Sequence, residues 1–160
     1  MRPMESQRLF LCVASFGTEH HGYLCRLLSE WDRMPFAQSD VAILCTHPPS
    51  LPPFARLRIR LHVFPPTIRK RLPSQHRSLM SEQRGNYDLY VYSEDDVLVN
   101  ERNVRTFLAL CERLPTPYVP GFLVYEKTDQ MDQPVFLETW KRGHHYPPMG
   151  AAMTVNGVPL

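Results

Sequence analysis

The sequence predicts an α/β domain built on a mostly parallel sheet flanked by helices, and three observations predict it. Short apolar runs alternate with segments of helical periodicity from residue 8 onward. Several of those runs are apolar on both faces, as strands covered by helices on either side must be. The most strand-like of them, YDLYVYS at residues 87–93, runs directly into three consecutive acids, Glu94, Asp95 and Asp96.

The first element, residues 8–16 (RLFLCVASF), has the length and composition of a buried strand that breaks at Gly17. Over residues 20–34, Tyr23, Leu24, Leu27, Leu28 and Trp31 recur at helical spacing until Pro35 ends the pattern. Residues 40–46 (DVAILCT) form a second buried strand leading into the proline-rich loop 47–53. Residues 58–64 (RIRLHVF) alternate apolar with basic at period two, a third strand with one wetter face.

A short helix follows over residues 74–84, with Ser74 as its expected cap and Gly85-Asn86 as its stop. Residues 87–93 are expected as a central strand, residues 100–114 as an amphipathic helix through Val104, Phe107, Leu108 and Cys111, and residues 118–125 as a further strand. Beyond residue 126 the pattern weakens to a short apolar segment, a Gly-His-His turn and a small apolar run.

A chain of 160 residues with 43% hydrophobic content suits one compact domain. A net charge of only +2 supplies no field to draw in nucleic acid or an anionic membrane, so phosphate binding must be local. The four cysteines, Cys12, Cys25, Cys45 and Cys111, have no C-x-x-C spacing and read as reduced core residues. The polar N-terminus lacks the pattern of a signal peptide or membrane anchor. The expected location is therefore cytoplasmic as written, or the lumen of the Golgi or endoplasmic reticulum if an anchor precedes this sequence.

Three adjacent carboxylates at the end of an apolar strand repel one another unless something positive lies between them. Extended backbone turns Glu94 and Asp96 to one side and Asp95 to the other, so one side can serve a metal and the other a ribose. In open parallel sheets ligands sit beyond the carboxyl ends of the strands, where this triplet falls. Hard carboxylate oxygens select Mg²⁺ or Mn²⁺, ions that take few protein carboxylates and complete their shell with water and substrate phosphates. The bland alternative is a solvated strand end whose negative charge favours the following helix.

The stretch YVYSEDDV, residues 90–97, resembles the DxD-type element of GT-A glycosyltransferases, in the E-D-D form of N-acetylglucosaminyltransferases. The order of elements over residues 8–126 is similar to that superfamily as well. The resemblance implies a Rossmann-like GT-A sheet, with residues 8–100 as the nucleotide- and metal-binding half and residues 101–160 as the start of the acceptor side. It implies Asp96 as a direct Mn²⁺ or Mg²⁺ ligand, Asp95 as a ribose contact, and Glu94 near the sugar or a metal-bound water. It further implies that Ala14, Ser15 and Phe16 line the base pocket beside Thr46, that Arg77 meets a phosphate, and that His145 joins the metal. Donor and acceptor would be a UDP- or GDP-linked sugar and a carbohydrate or glycoconjugate. GT-A enzymes generally continue beyond the point where this sequence stops, at Leu160, so a C-terminally truncated domain is implied too.

An inverting transfer needs a carboxylate base at the acceptor hydroxyl, and Glu126, Asp132 and Glu138 are candidates, with Glu126 and Glu138 preferred. Arg56, Arg58 and Arg60 read as a basic strand face and Arg69-Lys70-Arg71 as a basic loop, with solvated arginines the plainer reading of both. His20-His21 reads as structural. Two other classes compete: a non-catalytic nucleotide-diphosphate-binding domain, and a metal-dependent nucleotidyltransferase, whose basic phosphate loop is missing from the SFGT stretch at residues 15–18. A receiver domain ranks last, because residues 11–16 carry no acid.

Overall fold

In the computed structural model, residues 2–115, 118, 120 and 121 are described, together with four two-residue strands further along. The chain divides into two compact units, Met1–Glu101 and Arg102–Leu160.

The first unit holds a four-stranded, all-parallel sheet of β1 (Arg8–Ser15), β2 (Gln38–Cys45), β3 (Leu57–Val63) and β4 (Leu89–Glu94), in spatial order β3-β2-β1-β4. The α/β class expected from the alternating pattern is what forms. The expected central strand, however, is at an edge, and the interior strands are β1 and β2. β4 pairs with β1 alone among the described residues, and its residues 89–92 are half-buried. Strand β1 is buried from Leu9 through Ser15, which its uninterrupted apolar sequence requires.

Helix α1 (His21–Arg33) links β1 to β2, and the chain then returns past both strands, by way of α2 (His76–Glu82), to place β4 on the far side of β1. Right-handed crossovers in opposite directions put the two helices on opposite faces of the sheet. One face is led by α1, whose stripe Leu24, Leu27, Leu28 and Trp31 is fully buried. On the other, Leu79 and Met80 of α2 and Tyr87, Tyr90 and Tyr92 pack on Phe10, Cys12 and Ala42. Full burial of a leucine-sized side chain stabilises by about 1.5–3 kcal/mol, so the α1 stripe alone is a large share of the unit's stability.

Local chemistry refines several boundaries. Ser74 does not cap α2; its hydroxyl donates to the Arg71 carbonyl (2.8 Å), and the helix begins only after a 3₁₀ turn at Pro73–Gln75. Residues 69–71, expected as loop, belong to a 3₁₀ segment, Pro66–Arg71. All four cysteines are free, and burial pushes the Cys12 thiol up to about 12, which leaves it unreactive near neutrality.

Two carboxylates tie the sheet's entry end together. Asp32, in the last turn of α1, accepts from the backbone N–H groups of Ala55, Arg56 and Leu57 (3.1, 2.7 and 3.2 Å) and so fixes where β3 begins. Asp88 accepts from the Arg8 N–H (2.8 Å) and pairs with Arg2 and Arg8, which aligns the start of β4 with β1.

In the second unit, α3 (Glu101–Arg113) is the amphipathic helix the sequence predicts, with Val104 buried. Of the strand expected over residues 118–125, only its last residue is in a strand among the described residues: β5 (Tyr125–Glu126) pairs antiparallel with β6 (Val135–Phe136). A second small ribbon joins β7 (Thr154–Val155) to β8 (Val158–Pro159). No helix among the described residues is long and apolar enough to cross a membrane.

Two predictions follow from the carboxylates. Asp32→Ala removes the acceptor of three N–H groups and is expected to cost about 2 kcal/mol in urea unfolding, the range for hydrogen bonds to a charged group; a loss below about 0.5 kcal/mol would show that water replaces it. Asp88 is held below the ordinary aspartate value of 3.8, first by the Arg8 N–H and then by the two guanidinium groups. Its folded-state value is lowered, so its contribution is complete above that ordinary value and fades as pH falls toward the lowered one. Asp88→Asn should therefore flatten the acid side of the stability–pH curve and leave its slope above pH ~5 unchanged.

Candidate functional site

The strand order reverses at β1, so the helices diverge on either side of the β1/β4 boundary and open a crevice at the carboxyl ends of these two strands. A cavity of about 620 Å³ occupies it. One wall is the turn after β4 with Glu94, Asp95 and Asp96; the other elements are Ala14 and Phe16 from the end of β1, Glu19 and His20 before α1, and the segment Arg69, Lys70, Leu72 and Pro73.

The acids hold their places for local reasons. The register pairs Ala14 with Glu94, and one residue further the Asp95 N–H donates to the Ala14 carbonyl (3.1 Å). The Val97 N–H donates to the Glu94 carbonyl (3.2 Å), which closes a turn over the triplet, and the Ser93 hydroxyl reaches the Glu94 and Val97 carbonyls (3.1 and 3.3 Å). The alternation read from the sequence persists: Asp95 is 5% exposed, whereas Glu94 and Asp96 face outward.

Glu94 accepts from the Tyr92 hydroxyl (3.3 Å), and the Tyr92 ring stacks on His76 with centroids 4.1 Å apart. Burial raises the Tyr92 hydroxyl's pKa, and the negative charges of Glu94, Asp95 and Asp96 raise it further, so it remains a donor throughout the neutral range. Asp95 Oδ1 lies 3.3 Å from His20 Nδ1, and Asp95 Oδ2 is buried with no hydrogen-bond partner among the described residues.

Two basic residues, Arg69 and Lys70, border the same cavity. Arg69 stands at φ 45° and ψ −129°, the one non-glycine residue at positive φ among those described. That geometry is costly for a side chain with a Cβ and tends to occur where a segment has a task beyond packing. Buried Leu72 anchors the segment next to it. Neither Arg69 nor Lys70 forms an ion pair among the described residues.

The residues expected at the site divide as follows. Ala14, Phe16, Glu94, Asp95 and Asp96 border one cavity, with the Phe16 ring half exposed. Ser15 is fully buried, and its hydroxyl has no partner among the described residues. Thr46 supports the site from behind: its hydroxyl accepts the Gly17 N–H (2.9 Å), fixing a loop whose φ of 78° at Gly17 a side chain would resist. Arg77 lies elsewhere, beside a second hollow of about 380 Å³ with His76, Arg84 and Tyr90. Glu138, Asp132 and His145 fall outside the described residues, as does the side chain of Glu126, whose backbone is in β5.

Three site residues escape the sequence reading: His20, Arg69 and Lys70. His20 was expected to be structural, yet it touches Asp95 across a separation of 75 residues. Arg69 and Lys70 are exposed, as a solvated reading expects, but they also border the cavity of the acids, and no local pattern reports that the chain folds back there. The strand-borne basic face lies apart from them: Arg58 and Arg60 are exposed on β3, and the Arg56 guanidinium donates to the Met34 carbonyl (3.2 Å).

Among the described residues no three His, Cys, Asp or Glu side chains form a metal cage. The chemistry of the donor set suits a cation that takes two carboxylates and completes its shell from water and a ligand, because Glu94 and Asp96 are both exposed and both border the cavity. Comparisons of the chain with protein-family models, curated proteins and solved structures return no match.

Arg69→Gly is expected to stabilise the first unit by about 1 kcal/mol, since relief of the strain (~1–3 kcal/mol) outweighs the added freedom of the unfolded chain. Urea unfolding checks this, and an unchanged or lowered midpoint would mean that the segment stores no strain.

Proposed function

We propose that the first unit is the donor-binding part of a GT-A type glycosyltransferase, which uses Mn²⁺ or Mg²⁺ to hold a nucleotide-diphosphate sugar. One observation carries the reading: a single cavity has an anionic wall, Glu94 to Asp96, and a cationic wall, Arg69 and Lys70, and the two do not neutralise each other. Such a cavity is complementary to a metal ion and a phosphate chain bound together, the cation against the acids and the anionic oxygens against the bases.

In this reading Asp96 and Glu94 hold the metal, whose chemistry is to offset the charge that develops on the diphosphate as it departs. Lys70 and Arg69 bind phosphate oxygens from the other side, the role expected of Arg77. Tyr92 fixes Glu94 through its hydroxyl, and Phe16 offers an exposed aromatic face for the base at the end of β1. The acceptor and its carboxylate base, with Glu126 and Glu138 as candidates, belong to the second unit.

Isothermal titration with UDP and GDP, with and without Mn²⁺, tests this. Binding is expected to require Mn²⁺, to fall at least ~tenfold in Asp96→Ala, and to fall by a similar factor in Lys70→Ala, as loss of a charge-assisted contact implies. A folded protein that binds neither nucleotide in the presence of Mn²⁺ would leave the acids as a solvated strand end.

A further inference from the structure

The second hollow, of about 380 Å³, has no part in the metal and phosphate chemistry above; it is lined by His76, Arg77, Met80, Ser81, Arg84 and Tyr90. Its rings and its thioether are held in place. His76 Nδ1 donates to the Pro73 carbonyl (2.5 Å), and the imidazole stacks on Tyr92 with centroids 4.1 Å apart. The Tyr90 hydroxyl donates to the Gln83 carbonyl and accepts the Tyr87 N–H (3.3 Å), so it is committed to the backbone and the ring is fixed. Met80 packs on the Phe10, Cys12 and Ala42 cluster.

The remaining polar groups of the hollow are uncommitted. Arg77, Ser81 and Arg84 stand at i, i+4 and i+7, one stripe of α2 that Arg84 extends past Glu82 because its N–H donates to the Ser81 carbonyl (3.2 Å). Among the described residues neither guanidinium forms an ion pair, and the Ser81 hydroxyl has no hydrogen bond. Both arginines are exposed, and none of the described residues bordering the hollow is acidic. An oxyanion that enters therefore breaks no existing pair, and guanidinium forks match phosphate oxygens in geometry. Charge selects among oxyanions: a phosphomonoester carries close to two negative charges at neutral pH, which two guanidinium groups balance, and a carboxylate carries half as much. Size sets the rest, since the hollow falls near the lower end of the roughly 300–1,000 Å³ typical of ligand pockets and suits one ring rather than a nucleotide.

We infer that the hollow beside α2 is a second, metal-independent anion site for a small phosphomonoester carried on one ring, with Arg77, Arg84 and Ser81 on the phosphate and Tyr90 and Met80 against the ring. It gives Arg77 a phosphate, as the resemblance implies, but not the nucleotide's. It does not rest on the nucleotide-diphosphate reading, because no residue that lines this hollow borders the cavity of the acids.

The test is calorimetric titration of the full chain, without added metal, with two ring phosphates, glucose 6-phosphate and phenyl phosphate. Glucose, benzoate and inorganic phosphate are the controls. At least one ring phosphate should bind ~tenfold or more tightly than every control, since each control lacks the charge, the second charge or the ring. A sugar phosphate as the natural ligand favours the first probe, and an aromatic phosphate favours the second. Arg77→Gln and Arg84→Gln should each weaken that binding about ten- to a hundredfold, as loss of a hydrogen bond to a charged group implies. Lys70→Ala and Asp96→Ala should leave it unchanged, and the two arginine variants should bind UDP in Mn²⁺ as the wild type does. The inference is overturned by a folded protein that binds neither ring phosphate, by benzoate or inorganic phosphate binding equally well, or by arginine variants without effect. Binding lost in Lys70→Ala instead would put the anion in the other cavity, and UDP binding lost in Arg77→Gln would return Arg77 to the nucleotide; either result overturns it too. Failure of the wild type to bind UDP in Mn²⁺ bears on the donor reading alone.

Discussion

The bond from the Asp95 N–H to the Ala14 carbonyl is the constraint on which the cavity depends. It continues the β1/β4 ladder one residue past the strand and so fixes the acids level with the end of β1. A slip of one residue in that register would turn Asp95 outward and bury Glu94 and Asp96, because side chains alternate along extended backbone. The anchors at the opposite end of the sheet prevent the slip. Asp88 binds the start of β1, and Tyr87 donates to Asp40 of β2 (2.9 Å), so β4 is located by contacts made before it begins.

The proposed donor site follows from this register combined with one excursion of the chain. The segment after β3 passes Pro65 and Pro66, kinks at Arg69 and is anchored at Leu72 before α2 starts. Arg69 and Lys70 thereby border the same cavity as the acids without pairing with them. Had the two walls been close enough to form salt bridges, each would have satisfied the other and no net demand for a ligand would remain. Without such pairs Glu94, Asp96, Arg69 and Lys70 stay exposed in the free protein, which is the state the proposed metal–phosphate ligand would require of them.

The parallel sheet was legible because period and burial are local properties: residues 8–15 and 40–45 carry unbroken apolar sequence, and only a strand covered on both sides uses that pattern. The acids at the end of β4 were legible for the same reason, since three charges after an apolar strand are conspicuous in one dimension. The position of β4 was not, because its half-buried tyrosines look from sequence like a fully covered strand. Ser74 misled as a cap because a hydroxyl near a helix start can equally close a preceding turn, here on Arg71. His20, Arg69 and Lys70 come to the cavity only through long-range chain return, and Arg77, at the start of α2, borders a different hollow, a separation that no local pattern reports.

The two ends of the sheet are treated differently, and the contrast separates stability from function. At the entry end polar groups satisfy one another: Asp88 with Arg2 and Arg8, Asp40 with Tyr87 and Gln38, and the Gln7 carbonyl with the Ala37 N–H. At the exit end some do, such as Thr46 with Gly17 and Tyr92 with Glu94, but others do not. Of the four buried side-chain atoms without a partner among the described residues, Ser15 Oγ ends β1, His21 Nε2 starts α1 and Asp95 Oδ2 follows β4, whereas Trp31 Nε1 lies further along α1. The strained backbone of Arg69 and the unpaired charges lie there too. The unpartnered buried atoms and the strained backbone each cost folding free energy that a rearranged loop could recover, and selection for stability alone would remove them. Asp95 and Arg69 both border the cavity, so an unpartnered buried acceptor and a strained backbone fall together at the exit end while the entry end carries the polar contacts that align the strands, a division of labour that the proposed binding role would account for.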